Sequence, residues 1–268
     1  MAKPPDKRSE MNDGHCTDRA WEEWGRLEPY YSVLTNPKYK LSAIDAEAKS
    51  QFFDSGRIHV DTVMRDIRQY VFADFNPRTV LDFGCGVGRL VIPFARLVHE
   101  VVGLDVSPTM LEQAQENCTA QGVTNVRLQL SDDLLSAVAS RKFDLVHSAI
   151  VFQHIPMDRG KLIFRRLLDC IAPGGMGAIQ LLYSKSIYAS THGIAPEPAP
   201  ARKSRWYELA GRDKNQPPPA PTTPEMQMNP YNMNELLFFM QTRGVSQCFS
   251  RFTDHGGELG IWMFFQAS

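Results

Sequence analysis

Apolar and polar positions along this chain follow two different periods, and the switches between them mark out the elements. Across residues 57–72, apolar side chains fall at Val60, Val63, Met64, Ile67, Tyr70 and Val71. That spacing predicts a helix with one buried face. Residues 79–83 form a short apolar run that stops at glycines and read as a strand. Residues 88–98 return to helical spacing, with Leu90, Val91, Phe94, Leu97 and Val98 on one side. Pro93 falls near the first turn, where its missing N–H does least harm. A strand at 100–105 is followed by a helix with Ser107 as N-cap, Pro108 at the first helical position and Gly122 at its close. The pattern continues as strand 125–130, short helix 131–139, strand 143–151, helix 158–171 and strand 176–184. Strands and helices that alternate with short links predict an α/β domain with a mostly parallel sheet covered on both faces. Right-handed crossovers make such a sheet doubly wound and Rossmann-like.

Two stretches break the rhythm. Residues 1–15 are polar and read as mobile. They lead into the aromatic-rich "TDRAWEEWGRLEPYYSVLT". Residues 184–231 hold a proline-rich insertion, and a loop this long in a compact domain is a lid, a binding loop or a flexible linker. Regularity returns with the helix "NMNELLFFMQTRG", closed by Gly244, and two strands at 245–253 and 260–266 that read as an antiparallel hairpin. The expected organisation is a tail and helical lid segment at 1–56 and a Rossmann-like core at 57–183. An insertion able to cover a substrate occupies 184–231, and a terminal helix and hairpin at 232–268 complete the core.

Charge narrows the partners. Lys and Arg total 29 against 30 Asp and Glu, so the chain offers no broad attraction to nucleic acid or to an anionic membrane. The five cysteines are scattered without CxxC spacing, which suggests neither a zinc site nor a disulfide framework. With no signal-peptide pattern and no apolar run long enough for a bilayer, the chain reads as cytoplasmic, with reduced thiols. No feature of the sequence sets an oligomeric state.

The chemistry gathers in "VLDFGCGVGRL", residues 80–90. A ligand in an open α/β sheet sits beyond the carboxyl ends of the strands, where strand order reverses, and these glycines follow the first strand. A phosphate-binding P-loop needs Gly-Lys-Ser/Thr, but this chain has Gly88-Arg89-Leu90. A dinucleotide loop places its last glycine one position later. Here the spacing is Asp82-x-Gly84-x-Gly86-x-Gly88, and an acid at that position repels a pyrophosphate but suits a ligand carrying an ammonium group.

That spacing resembles motif I of the class I S-adenosylmethionine-dependent methyltransferases. The resemblance runs over residues 57–184, through Asp105 with "VSPTML", "SDD" at 131–133, "FDLVHSAIVFQHIP" and "LLDCIAPGGMGAIQL". It implies a sheet of seven strands whose last pair is the hairpin, and S-adenosylmethionine as cofactor with S-adenosylhomocysteine as product. It further implies that the cofactor lies against the backbone at Gly84, Cys85, Gly86 and Gly88, with Asp82 attracting its ammonium end. Asp105, beside Val106, would bind both ribose hydroxyls; Met110 would lie beside the adenine, and Asp132 would accept from the adenine amino group. Asp132 and its neighbour Asp133 could instead share an N-cap. Ser148, at the end of the fourth strand, joins the expected cofactor set, and Arg57 is expected to reach the cofactor carboxylate.

His154 lies just past the fourth strand and has two readings, a general base for the acceptor or a structural histidine bonded to its own loop. His147, inside that strand, is expected to pack or cap. Tyr30, Tyr31, Tyr183 and Trp206 are candidates to cover the acceptor, although Trp206 could equally pin its loop to the core. The Asn/Asp-Pro-Pro-Tyr/Phe signature of amino-methyltransferases is absent after the fourth strand, where "SAIV" stands. Together with the balanced charge, this argues against methylation of nucleic-acid bases. The expected reaction is methyl transfer to an oxygen, nitrogen or carbon nucleophile of a small molecule. A protein or peptide acceptor, or a module that binds the cofactor without transfer, remains as an alternative.

Overall fold

The computed structural model describes residues 14–195 and 223–267. A seven-stranded sheet in the order β3-β2-β1-β4-β5-β7-β6 forms its centre. The parallel strands are β1 (Thr79–Phe83), β2 (Glu100–Asp105), β3 (Val126–Leu130), β4 (Phe143–Ser148) and β5 (Ile171–Lys185). The last strand, β7 (Glu258–Gln266), runs antiparallel to β5 and to the edge strand β6 (Cys248–Asp254). This is the expected doubly wound sheet with its terminal hairpin.

Alternation along each strand divides the core in two. Leu81, Phe83, Val146 and Ile179 face α6 (Met157–Asp169) and α7 (Met233–Gln241), which supply Phe164, Leu167, Leu236 and Met240. On the opposite face, Val80, Leu145 and Ala178 meet α3 (Ala46–Tyr70) and α4 (Val91–Ala95), with Val60, Met64, Ile67 and Phe94. Asp82 and His147 share this second face with Val80 and Leu145, at paired positions of adjacent strands.

Some elements differ in extent from the expectation. Helix α3 starts at Ala46, capped by Asp45, whose side chain accepts from Ala48 N–H. The boundary expected between 56 and 57 therefore lies inside a helix. The helix expected over 88–98 is only α4, because the Asn125 amide takes up the carbonyls of Ala95 and Val98 and ends it. The helix expected over 131–139 is a single 3-10 turn, Ser136–Val138. Leu135 has φ 52° there, and the Asp132 carboxylate accepts from the N–H groups of Leu134 and Ser136. Helix α5 (Pro108–Ala120) begins as expected, its Ser107 cap accepting from Met110 N–H.

N-terminal to α3, α1 (Gly14–Leu27) and α2 (Pro29–Val33) lie over the carboxyl end of the sheet. Of the insertion, residues 186–191 form a 3-10 turn, and Tyr231 at its end is buried, its hydroxyl donating to Ile155 O at 2.8 Å. The expected mobile tail, apart from its last residues, the middle of the insertion and Trp206 lie outside the described residues.

Candidate active site

The chain runs outward from β1 to β3 and then returns to β4 on the other side of β1, so strand order reverses at the carboxyl end of β1. A cleft of about 940 Å³, counted to its open mouth, lies there. The glycine loop forms its floor, and α1 covers it with Thr17, Asp18 and Trp21.

Glycine is required in the loop by its own geometry. Gly84, Gly86 and Gly88 have φ of 76°, 51° and 85°, a region that side chains rarely adopt. At Gly84 a Cβ would also lie 2.2 Å from Val151 Cγ2. Gly84, Cys85 and Gly86 line the cleft, whereas Gly88 is turned toward Ala114 of α5 and does not. At Gly88 it is the positive φ that calls for glycine, since a Cβ there would make only ordinary contact with Ala114. The Cys85 thiol is buried, and burial pushes its pKa well above the usual thiol value, with Asp105 and Asp82 adding to the effect. It is therefore inert as a nucleophile.

Two carboxylates reach the cleft from adjacent strand ends. Asp105 is braced by the loop it serves: Oδ2 accepts from Gly86 N–H at 2.8 Å and Oδ1 from Ser107 N–H at 3.0 Å. Burial raises its pKa to about 6, against the pull of the N–H groups of Ser107, Gly86 and Val106. Each oxygen keeps further acceptor capacity, the arrangement needed to bind a vicinal diol. Asp82 is 2% exposed. Its Oδ1 is held by His147 Nδ1 at 2.8 Å, while Oδ2 is buried with no hydrogen-bond partner among the described residues. A buried, unpaired carboxylate oxygen in a cleft is costly unless a ligand donor meets it.

Val106 and Met110 line the cleft, as do Asp132 and Asp133. Asp132 also caps its turn, and the hydrogen bonds from Ser136 and Leu134 hold its pKa below the usual value. Asp133 is bound to Arg159 Nε at 2.6 Å. The same guanidinium grips Asp18 of α1 through two bonds of 2.6 and 2.8 Å, so α6, α1 and the loop after β3 meet in one ionic junction. Glu22 fastens α1 at a second point. Its carboxylate accepts from the hydroxyls of Ser107 and Thr109, both at 2.7 Å, at the N-terminus of α5, where a negative charge is favourable. Burial works to raise the Glu22 pKa, but these bonds and Arg26 outweigh it and hold it low.

His154 lines the cleft, stacked obliquely on Trp21 with ring centroids 4.9 Å apart. Its Nδ1 stands 2.8 Å from Gln227 O. A carbonyl only accepts, so Nδ1 carries the proton, and in the neutral ring Nε2 carries the lone pair. Burial lowers the His154 pKa, which favours that neutral ring at pH 7. In this geometry one ring nitrogen is anchored to a loop and the other keeps its lone pair in the neutral ring. Beside it, Ile150 has φ 60°, a strained conformation for a β-branched residue, fixed by Ile150 N–H donating to Gln180 Oε1 at 3.1 Å.

Several expected residues lie elsewhere. Arg57 is exposed, paired with Asp54 and Asp61 on the outer side of α3, and it does not line the cleft. Arg89 does line the cleft, 6% exposed, its pKa lowered by burial to about 10 while Asp82 and Tyr39 pull it upward. Ser148 is buried and donates to Phe83 O, joining β4 to β1 outside the cleft. Tyr30 is buried against Phe52, its hydroxyl donating to Asn117 Oδ1; Tyr31 lies beside Lys40, and Tyr183 packs on Phe252. None of these three tyrosines lines the cleft. Their place is taken by Trp21 and by Ser32 and Val33 of α2. The signal for Trp21 was available in the sequence, since Thr17, Trp21 and Gly25 recur at helical spacing. Gly25 marks the side of α1 that packs closely on Ser107 and Met110.

The fold is that of the class I S-adenosylmethionine-dependent methyltransferases. Residues 80–175 match the family model described as a methyltransferase domain. Over 152 residues the chain is 28% identical to the ubiquinone biosynthesis O-methyltransferase of Methylococcus capsulatus, covering 51% of this chain and 63% of that protein. Over 127 residues it is 33% identical to the 23S rRNA (uracil(1939)-C(5))-methyltransferase of Aeromonas salmonicida, covering 45% of this chain and 28% of that protein. The chain thus spans less than two thirds of either relative. Among solved structures, the magnesium protoporphyrin IX methyltransferase of Synechocystis PCC 6803, crystallised with S-adenosylhomocysteine, superposes with a TM-score of 0.61. It is 17% identical, with 96% of this chain and 100% of that one covered.

Proposed function

We propose that this chain transfers a methyl group from S-adenosylmethionine to an oxygen, nitrogen or carbon nucleophile of a small-molecule acceptor. The observation that carries the reading is the pair of strand-end acids, Asp105 with both oxygens braced by backbone N–H groups and Asp82 with one oxygen bare. Asp82 answers a cationic ammonium group, and Asp105 answers two ribose hydroxyls. When bound, the cofactor supplies a methyl group already activated on a sulfonium.

The residues of the chain then have three tasks. Gly84 and Gly86 bring the backbone close to the ligand, while α1 covers it and excludes water. Trp21, Val33, Ile150, Val151 and Ile155 give apolar walls that align an acceptor. His154 accepts the acceptor's proton at Nε2 where the acceptor loses one, with Gln227 O holding the ring. A covered, largely apolar cleft supports a small acceptor over a protein or RNA chain, and so does the likeness to the ubiquinone biosynthesis enzyme. An intracellular site of action belongs to the same reading: Cys85, Cys118, Cys170 and Cys248 are free thiols, and among the described residues no helix is long and apolar enough to cross a membrane.

The test is incubation with methyl-labelled S-adenosylmethionine and fractionated metabolites, peptides and RNA. Label appearing in a small molecule is the expected result. Label confined to RNA or peptide would refute the acceptor class, and binding without any transfer would reduce the protein to a cofactor-binding module.

A further inference from the structure

Behind Asp82 lies a chain of two imidazoles, one buried and one partly buried, that the proposed reaction does not use. His147, 0% exposed, meets Asp82 Oδ1 through Nδ1 at 2.8 Å. Its Nε2 lies 3.2 Å from Nε2 of His59, which projects from α3 across the same face of the sheet. Trp262 stacks on His147 with centroids 5.6 Å apart, Phe94 meets it edge-on at 5.1 Å, and His59 packs on Trp262 at 5.3 Å. The rings are thus locked by packing as well as by hydrogen bonds. A carboxylate oxygen only accepts, so Nδ1 of His147 carries a proton whichever ring supplies the one between the two Nε2 atoms. Burial pushes the His59 pKa well down, with His147 and Arg89 adding to the shift.

A residue that only filled this space would be apolar, since Phe94 and Trp262 already form its walls and burying polar rings is costly. What the imidazole adds is a fixed donor to one oxygen of Asp82, a residue lining the cleft, which leaves the other oxygen without a hydrogen-bond partner. We infer that His147, backed by His59, is a positioning residue: it holds Asp82 by Oδ1 so that Oδ2 meets the ammonium end of the cofactor. This role rests on the functional reading above.

Asparagine and leucine at position 147 separate this role from packing. The two side chains have nearly the same shape, but only the amide nitrogen of asparagine stands where Nδ1 stood. By calorimetry with S-adenosylhomocysteine, His147→Asn is expected to bind within about threefold of the wild type. His147→Leu is expected to bind about 10–100-fold more weakly, the range typical of losing a group that orients a ligand-holding side chain. Equal affinity in the two variants would overturn the role. Should the leucine variant not fold, the wild type decides. Its His147 Nδ1 nitrogen resonance should shift when S-adenosylhomocysteine engages Asp82, and a resonance that does not move overturns the inference. A wild type that fails to bind S-adenosylhomocysteine overturns the functional reading and this role together. Wild-type binding with no leucine effect overturns the positioning role alone.

Discussion

On the proposed function, in which Asp105 holds the cofactor ribose, this residue ties cofactor affinity to pH. Its carboxyl is raised to about 6, chiefly by burial, so it gains a proton in a range where ordinary aspartates stay ionised. A protonated Asp105 still receives the Gly86 and Ser107 N–H groups poorly and cannot offer two charged acceptors to a ribose. If only the ionised form binds, apparent affinity at pH 5 is about 11-fold weaker than the plateau, while at pH 7 the loss is about 1.1-fold. Calorimetric titration with S-adenosylhomocysteine between pH 5 and 7 reads this directly. Asp105→Ala removes two charge-assisted hydrogen bonds of about 1.5–3 kcal/mol each, which is about 10²–10⁴-fold in affinity. His154 titrates in the same cleft, so the difference between the wild-type and variant profiles isolates Asp105. The same shift acts on stability with the opposite slope. The folded apo protein keeps the Asp105 proton to a higher pH than the unfolded chain does, so this residue's contribution falls as pH rises from 3.8 to about 6. Identical affinity from pH 5 to 7, or an unaffected alanine variant, would refute the reasoning.

Three further outcomes are expected. His154→Gln should lower turnover about 10²–10⁴-fold with little change in S-adenosylhomocysteine affinity, because an amide cannot take the proton; near-normal steady-state turnover would leave His154 a structural residue. Gly56→Ala would put a Cβ 2.1 Å from the Arg89 carbonyl oxygen, which is backbone and cannot swing aside. It should cost about 1–3 kcal/mol in a urea titration, and an unchanged midpoint would mean that α3 is free to slide. Arg159→Ala cuts the junction among α6, Asp18 of α1 and Asp133, with a loss of about 1–2 kcal/mol. Amide hydrogen exchange over residues 17–24 should quicken, and unchanged protection would show that Glu22 alone holds α1.

Local chemistry by itself determined the sheet, the glycine loop and the two acids. The short continuous apolar runs of β1 and β2, the Ser107–Pro108 helix start and three glycines at positive φ depend only on neighbours a few residues away. Where the buried face was built from small or polar residues, the pattern was silent. The first turns of α3 bury Ala48 and Gly56, the latter against the Arg89 backbone, and Phe52 alone is a large apolar residue on that face, so no continuous apolar stripe marked the helix before position 57. Tertiary structure alone decided which residues meet. The outward turn of α3 sends Arg57 to solvent while Arg89 is drawn into the cleft. The docking of α1 puts Trp21 on His154, with Tyr30 and Tyr31 turned away from the cleft. Asp82 and His147 are neighbours because β1 and β4 pair in parallel, and His59 joins them because α3 crosses that face of the sheet. Those contacts link residues far apart in the chain, and their strength comes from burial and exact placement, which exist only once the elements have packed.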